Sequence, residues 1–363
     1  MDHRFKYIWY ALFFFLIVAC KETESEKINL GHVENTFSNP LLPNGPDPWV
    51  IFHDNYYFYI RSENRKLILM KTADITDLQN AESHIIWSAP ETGNYSKNIW
   101  APEIHFINNN WYIYFAADNG DNRNHRMFVL ENTSKNPFEG VFVFKSKIET
   151  DKNDNWAIDG SIFEHKNQLY FIWSGWEEPK KENGMEIQNI YIAEMSNPWT
   201  ISSKRVLIST PEQKWEQKWQ YPGVSGPSTR VYVNEGPQMI VHGEKIHIIY
   251  SASGCWTPYY SLGLLTAKVN NDLMIKTSWV KSENPVFEQS EKNKVYGPGH
   301  NSFFKSPDGT EDWILYHATD GSTDGCSDKR SPRAQEFRWT KDDMPIFGTP
   351  VTVSKKLVRP SGI

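Results

Sequence analysis

Four residues far apart in the chain share one local setting. Asp47 in "GPDPWV", Asp159 in "AIDGSIF", Glu235 in "VNEGPQM" and His300 in "GPGHNSFF" each sit beside a Gly or Pro, just ahead of an apolar run. A carboxylate gains nothing from the interior of a sheet, so such a residue either ends a solvated strand or points into a site. Polar residues at strand starts are common as plain turn chemistry. Two carboxyl groups held across a substrate can do more. One donates a proton while the other, ionised, activates water. Which reading holds depends on whether the intervening elements bring these positions together.

Those elements repeat. Five stretches follow one plan: a polar residue and a small residue or Pro, an apolar strand, a turn, and a second strand rich in aromatics. They begin at Pro46 ("PDPWVIFHDNYYFYI"), Ala101 ("APEIHFINNNWYIYFAA"), Ile158 ("IDGSIFEHKNQLYFIWSG"), Asn234 ("NEGPQMIVHGEKIHIIYSAS") and Gly299 ("GHNSFFKSPDGTEDWILYHA"). Asn, Gly and Asp in the turns suit the positive φ of tight hairpins. A third strand candidate follows in each unit, as "LILMKTA", "RMFVLEN", "NIYIAEM", "LGLLTA" and "QEFRWT". No long stretch sustains a 3.6-residue period. Similar units of roughly 55–75 residues built of strands predict an all-β chain folded as a five-bladed β-propeller. A large β-sandwich would not need five equivalent units, and a β-helix would have much shorter repeats. In a propeller the first strand of each blade lines the central channel. Asp47, Asp159, Glu235 and His300 would then meet at one funnel mouth, with the "WAPE" segment Trp100–Glu103 in the equivalent place of the second unit.

The bulk composition narrows the function. The chain has 363 residues and a formal net charge of −6, which argues against a nucleic-acid partner, because phosphate binding needs a basic stripe. There is no Walker loop, no GxGxxG and no CxxC pair. Aromatics reach 14%, a fraction that suits strands and also suits sugars, whose C–H faces stack on rings. The N-terminus reads as a separate object. Arg4 and Lys6 precede the apolar run "YIWYALFFFLIVA", which is shorter than a spanning helix of ~20 residues and reads as a secretory signal over residues 1–19. Ile17, Val18 and Ala19 before Cys20 resemble a bacterial lipobox, so Cys20 is the expected lipidation site. Residues 20–38 read as a flexible charged tether and 39–363 as the folded domain. The expected location is an exported lipoprotein, periplasmic or on the outer-membrane surface, touching membrane only through that anchor. Export also makes a bridge between Cys255 ("SGCWT") and Cys326 ("DGCSD") possible.

The segments "GPDPWV", "NIWAPEIH", "AIDGSIF", "VNEGPQM" and "GPGHNSFF", in that order and one per unit, resemble family 43 of the glycoside hydrolases, whose fold is a five-bladed propeller. The resemblance runs from "NPLLPNGPDPWV" to "RAQEFRWTKDDMPIFGTP". It implies that Asp47 is the general base, Glu235 the general acid, and Asp159 the residue that orients the acid and adjusts its pKa. Family 43 inverts configuration, so a carboxyl separation of roughly 6.5–9.5 Å is expected between Asp47 and Glu235. An ionised Asp159 would raise the pKa of Glu235 by like-charge repulsion. The counterpart of His300 often binds a central calcium, partly through water. His300 therefore reads either as a ligand to a structural ion or as a neutral histidine under the sugar, and no cofactor is required. Arg330, in "RSPRAQEFRW", matches the family's substrate-binding Arg, with Arg333 close by. Trp100 is the candidate platform for the sugar, and Trp49 and Trp256 are weaker candidates for the funnel wall.

Finer segments, "WYIYFAADNGDNRNHRMFVLEN", "FIWSGW", "IYSASGCWTPYYSLGLL" and "WILYHA", resemble the α-L-arabinofuranosidase branch. The expected reaction is exo release of L-arabinofuranose from arabinan or arabinoxylan of the plant cell wall, by a monomer. The insertions at 176–187 and 211–230 would wall the site into a pocket. The extra C-terminal β-sandwich of many β-xylosidases in the family is expected to be missing. A β-xylosidase or exo-galactosidase on the same scaffold, or a surface lipoprotein that binds glycan without cutting it, are the competing readings.

Overall fold

The computed structural model of the chain describes Met1 and residues 35–178 and 186–363. Cys20, the signal segment after Met1 and the tether up to residue 34 lie outside the described residues. The folded unit spans Asn35–Ile363. Thr36 and Phe37, expected in the tether, instead pair as a short strand with Leu357–Val358, and Phe37 is buried. The domain therefore begins a few residues before the expected boundary, because the two ends of the chain close on each other there.

The fold is all-β, a five-bladed propeller. Each blade is an antiparallel meander that starts at its innermost strand. The first runs through Trp49–His53, Tyr56–Glu63, Lys66–Thr72 and Glu82–Ser88. The second contains Lys97–Ile107, Asn110–Asp118, Arg126–Asn132 and Val143–Lys147. The third contains Ala157–His165, Gln168–Gly175 and Glu186–Asn197, with Thr200–Ile201 and Val206–Ser209 outside them. The fourth is Val231–His242, Lys245–Ala252, Ser261–Lys268 and Val280–Lys281. The fifth is Tyr296–Lys305, Asp312–Thr319, Ser331–Trp339 and Pro345–Ile346. The innermost strands of the fifth and first blades pack together and close the ring. Helix is confined, among the described residues, to three short 3-10 segments.

Local chemistry explains the hairpins. Asp54 and Asn55, Asn108 and Asn109, and Lys166 and Asn167 all have positive φ, the conformation that two-residue turns between twisted strands require. Packing explains why the second strands are apolar without alternation. Tyr57 and Tyr59 face the fifth blade, while Phe58 and Ile60 face the second. The described residues form five apolar clusters, one between each pair of neighbouring blades. Both faces of a blade are thus core, and each fully buried Phe-sized side chain there contributes about 2–3 kcal/mol.

Two features of the sheets position the site. The first is a bulge repeated around the ring. In the second to fifth blades the innermost strand spends one extra residue between Trp100 and Glu103, Ile158 and Ser161, Glu235 and Gln238, and Gly299 and Ser302. A left-handed residue sits inside each: Ala101 (φ 41), Asp159 (φ 53), Gly236 (φ 54) and His300 (φ 47). Asp47 (φ 53) takes the same conformation just before the first blade's strand. Such bulges re-aim side chains at the end of a sheet. Non-glycine residues in this conformation cost about 1–3 kcal/mol each and cluster at functional sites. By this register Asp47, Asp159 and His300 are equivalent, and Glu235 lies one residue earlier, level with Trp100. The second feature is a short parallel pairing of Glu186–Gln188 with Val231–Val233, which ties the third blade to the fourth beside Glu235.

Candidate active site

Asp47, Asp159, Glu235 and His300 line one cleft of about 420 Å³ at the mouth of the channel, together with Trp100, Trp256 and Arg330. The expected convergence of distant carboxyls on one axis is therefore observed.

Asp47 is held by three cationic or hydrogen-bonding neighbours. Its Oδ1 lies 3.1 Å from Arg330 Nη1, 3.3 Å from His300 Nδ1 and 3.4 Å from His317 Nδ1. Its backbone N–H donates to His317 Nδ1 at 3.0 Å. Burial pushes its pKa up, but His300 first and then Arg330 outweigh burial and hold the carboxyl well below the usual range. His317 is itself pushed down to about 4, by burial first and by the cations of Arg330 and His300, so it is neutral. Accepting the N–H of Asp47 at Nδ1 places its own proton on Nε2. Asp47 is an ionised carboxylate at neutral pH, the state a base needs.

Glu235 is gripped at both oxygens. Tyr260 Oη donates to Oε1 at 2.8 Å and Gln188 Nε2 donates to Oε2 at 2.7 Å. Burial raises its pKa and the charge of Asp47 adds to this, against the lowering influence of His300, Tyr260 and Gln188; the net direction is up. Asp159 accepts the N–H of Gly236 at 3.1 Å, which ties it to the backbone of the acid. Its carboxyl is pushed up to about 8, by burial first and by the charges of Glu235 and Asp47, against His300 and the Gly236 N–H. For Glu235 itself burial is the largest cause of the upward shift, and Asp47 is the charge that adds to it.

His300 is buried among these acids. Burial works against its protonated form, but Asp47, Asp159, Glu235 and Glu103 outweigh burial and raise its pKa. The acids around it thus favour its protonated form more than water does. Calcium takes six to eight oxygen ligands. Among the described residues no group of three or more His, Cys, Asp or Glu converges to hold a metal. The nearest partner of His300 is the Asp47 carboxylate, already neutralised by Arg330.

The other expected residues divide. Trp100 is 38% exposed and stacks on His125 with ring centroids 3.9 Å apart, leaving its other face to the cleft. Trp256 lines the cleft, its indole N–H donating to the Trp219 carbonyl at 2.7 Å. Arg330 rather than Arg333 reaches the site. Arg333 is fully buried and pairs with Asp320 at 2.9 Å. Trp49 does not line the cleft. Its N–H donates to the Ile104 carbonyl at 2.8 Å and its ring packs on His105, so it is a strut between the first two blades. Cys255 and Cys326 form a disulfide, and both line the cleft. The 211–230 insertion contributes Pro227 and Thr229 to the wall, while residues 179–185 of the other insertion lie outside the described residues.

Sequence reasoning missed Gln188, Tyr260, His317 and the stacked pair Trp156–Trp176, whose rings lie 4.5 Å apart in the cleft wall. Tyr260, His317 and Trp176 lie in segments that carry the arabinofuranosidase resemblance, but nothing in their local pattern singles out these residues within them.

Comparisons with known proteins agree with this geometry. The family described as Glycosyl hydrolases family 43 matches residues 37–345. The chain is 37% identical over 324 residues to an extracellular exo-alpha-(1->5)-L-arabinofuranosidase of Streptomyces avermitilis, covering 87% of this chain and 64% of that protein. It is 34% identical over 340 residues to alpha-L-arabinofuranosidase 43 of Humicola insolens, covering 92% of this chain and 66% of that protein. The chain thus spans about two thirds of the length of these curated relatives. Among solved structures it is similar to an alpha-L-arabinofuranosidase from Lactobacillus brevis, with a TM-score of 0.79, 34% identity and coverage of 88% of this chain and 98% of that one.

Proposed function

Given that the chain belongs to glycosyl hydrolase family 43, we propose that it is an inverting exo-α-L-arabinofuranosidase that removes single L-arabinofuranose units from arabinan or arabinoxylan. The observation that carries this reading is the placement of an ionised Asp47 and a pKa-raised Glu235 in one cleft of about 420 Å³. The names of the relatives supply the sugar.

In this reading the sugar sits against the free face of Trp100. Glu235 delivers its proton to the glycosidic oxygen as the bond to the anomeric carbon breaks. Asp47 takes a proton from the water that attacks the opposite face. Arg330 and His300 keep Asp47 ionised, and the walls at Trp256 and the 211–230 segment favour a pocket that admits one chain end. An exported lipoprotein anchored at Cys20 would place the enzyme among wall polysaccharides, a reading supported by the lipobox-like residues and the extracellular naming of a relative. Monomer is the working assembly.

Product analysis by NMR on arabinan and arabinoxylan tests this. Released L-arabinose with inverted anomeric configuration in the first product is expected. Retained configuration, or xylose or galactose as the product, would overturn it.

The pH profile is a second test. Asp47 works only when ionised, and its depressed pKa keeps it ionised well into the acid range. Glu235 works only when protonated, and its raised pKa carries that form above the ordinary glutamate value. The log of kcat/KM should therefore stay flat through mildly acidic pH and fall on the alkaline side. An acid limb near neutrality would contradict the state assigned to Asp47.

A further inference from the structure

Tyr260 and His317 come from different blades, and each holds one of the two residues assigned as acid and base, Tyr260 at the carboxyl and His317 at the backbone. Tyr260 lies in the loop before the third strand of the fourth blade, and its hydroxyl donates to Glu235 Oε1 at 2.8 Å. His317 lies on the second strand of the fifth blade, and its Nδ1 accepts the backbone N–H of Asp47 at 3.0 Å. Both are 1% exposed, and their rings are parallel within 5°, with centroids 5.6 Å apart. The rings therefore form one continuous link from acid to base.

We propose that the Tyr260–His317 stack is a positioning pair that sets how Glu235 and Asp47 face each other across the bound sugar. Two flexible loops could not hold that relation, since productive geometry tolerates only a fraction of an ångström. Rings packed in a buried site have no freedom to slide. The neighbouring backbone is shaped to admit the stack. Gly299 pairs with His317 in the ladder, and a Cβ at Gly299 would meet Tyr260 Cε1 at 2.3 Å and Cδ1 at 2.4 Å. Only a residue without a side chain lets the Tyr260 ring lie there. Gln188, donating to Oε2 of Glu235 at 2.7 Å, fixes the other carboxyl oxygen, so the acid cannot rotate away from the stack. Neither ring needs to touch the substrate for this role.

The proposal rests on the acid and base roles given above, and it makes a prediction that a purely structural pair would not. Tyr260→Phe keeps the stack but frees the acid. Its effect should depend on how much protonation the leaving group needs. His317→Phe keeps the stack but removes the partner of Asp47, and the base serves every substrate alike. We expect Tyr260→Phe to lower kcat on an arabino-oligosaccharide by about 10–100-fold, and on 4-nitrophenyl α-L-arabinofuranoside at least tenfold less. We expect His317→Phe to lower kcat on both substrates by a similar factor, with KM nearly unchanged. Gly299→Ala, which displaces the Tyr260 ring, should reproduce the leaving-group dependence of Tyr260→Phe without altering either hydrogen-bonding group. Thermal melts of all three report folding. Equal losses on both substrates in Tyr260→Phe and His317→Phe, or a Tyr260→Phe enzyme with the wild-type rate on the oligosaccharide, would overturn the proposal while leaving the function standing. A wild-type protein that releases no sugar from either substrate would overturn the functional reading and this one with it.

Discussion

Asp47→Asn is expected to lower kcat on arabino-oligosaccharide and on 4-nitrophenyl α-L-arabinofuranoside alike, by about 10³-fold or more, with an unchanged circular dichroism spectrum. The base is needed whichever group leaves, because the attacking water must lose a proton in each case, and a general base contributes about 10²–10⁴-fold. The amide keeps the size of Asp47 and can still meet Arg330, His300 and His317, so the cleft should persist. Glu235→Gln supplies the contrast. It removes the proton donor but spares the fold, so the oligosaccharide should suffer a loss of similar size while the activated nitrophenyl glycoside suffers much less. Steady-state kinetics on the two substrates separates the roles. If Asp47→Asn turns over the oligosaccharide at the wild-type rate, the assignment of the base is wrong.

Replacing both Cys255 and Cys326 with Ser should cost about 4 kcal/mol of stability and lower the thermal midpoint by on the order of 10 °C. The bridge closes a loop with a sequence separation of 71, between the fourth and fifth blades, and loops of that length restrict the unfolded chain strongly. The change should also reach the chemistry. The cystine lines the cleft, Trp256 is the next residue after Cys255, and Arg330 follows Cys326 by four positions on the way to Asp47. Loosening that rim should raise KM more than it lowers kcat. Melting curves with and without reductant, together with KM for an oligosaccharide, check both parts. Identical midpoints for the bridged and bridge-free proteins would remove the stabilising role.

The repeating plan of the blades was legible because each second strand is buried on both faces. A run such as "YYFYI" has no solvent side on which to place polar residues, and the hairpin residues between runs are those that accept positive φ. The chemistry-bearing positions were legible for a related reason. Asp47, Asp159 and His300 all take the left-handed conformation, the last two inside bulges, and that strained conformation leaves a mark of Gly and Pro around them. Trp49 bore the same mark and misled, because a residue close after such a left-handed position can turn toward a neighbouring blade as readily as toward the channel.

By itself the sequence determined the all-β class, the fivefold repeat and which three carboxyls would meet in one cleft, since these depend on the local pattern repeated from blade to blade. Only the tertiary structure decided the directions in which the pKa values move and the supports of the acids. The carboxyls around His300 raise its pKa against burial, and burial with neighbouring carboxylates raises that of Asp159, effects that depend on contacts between residues on different blades. It also decided that Gln188, Tyr260 and His317 hold the reacting groups, because a hydrogen bond or a ring stack between separate blades leaves no periodic trace in either strand.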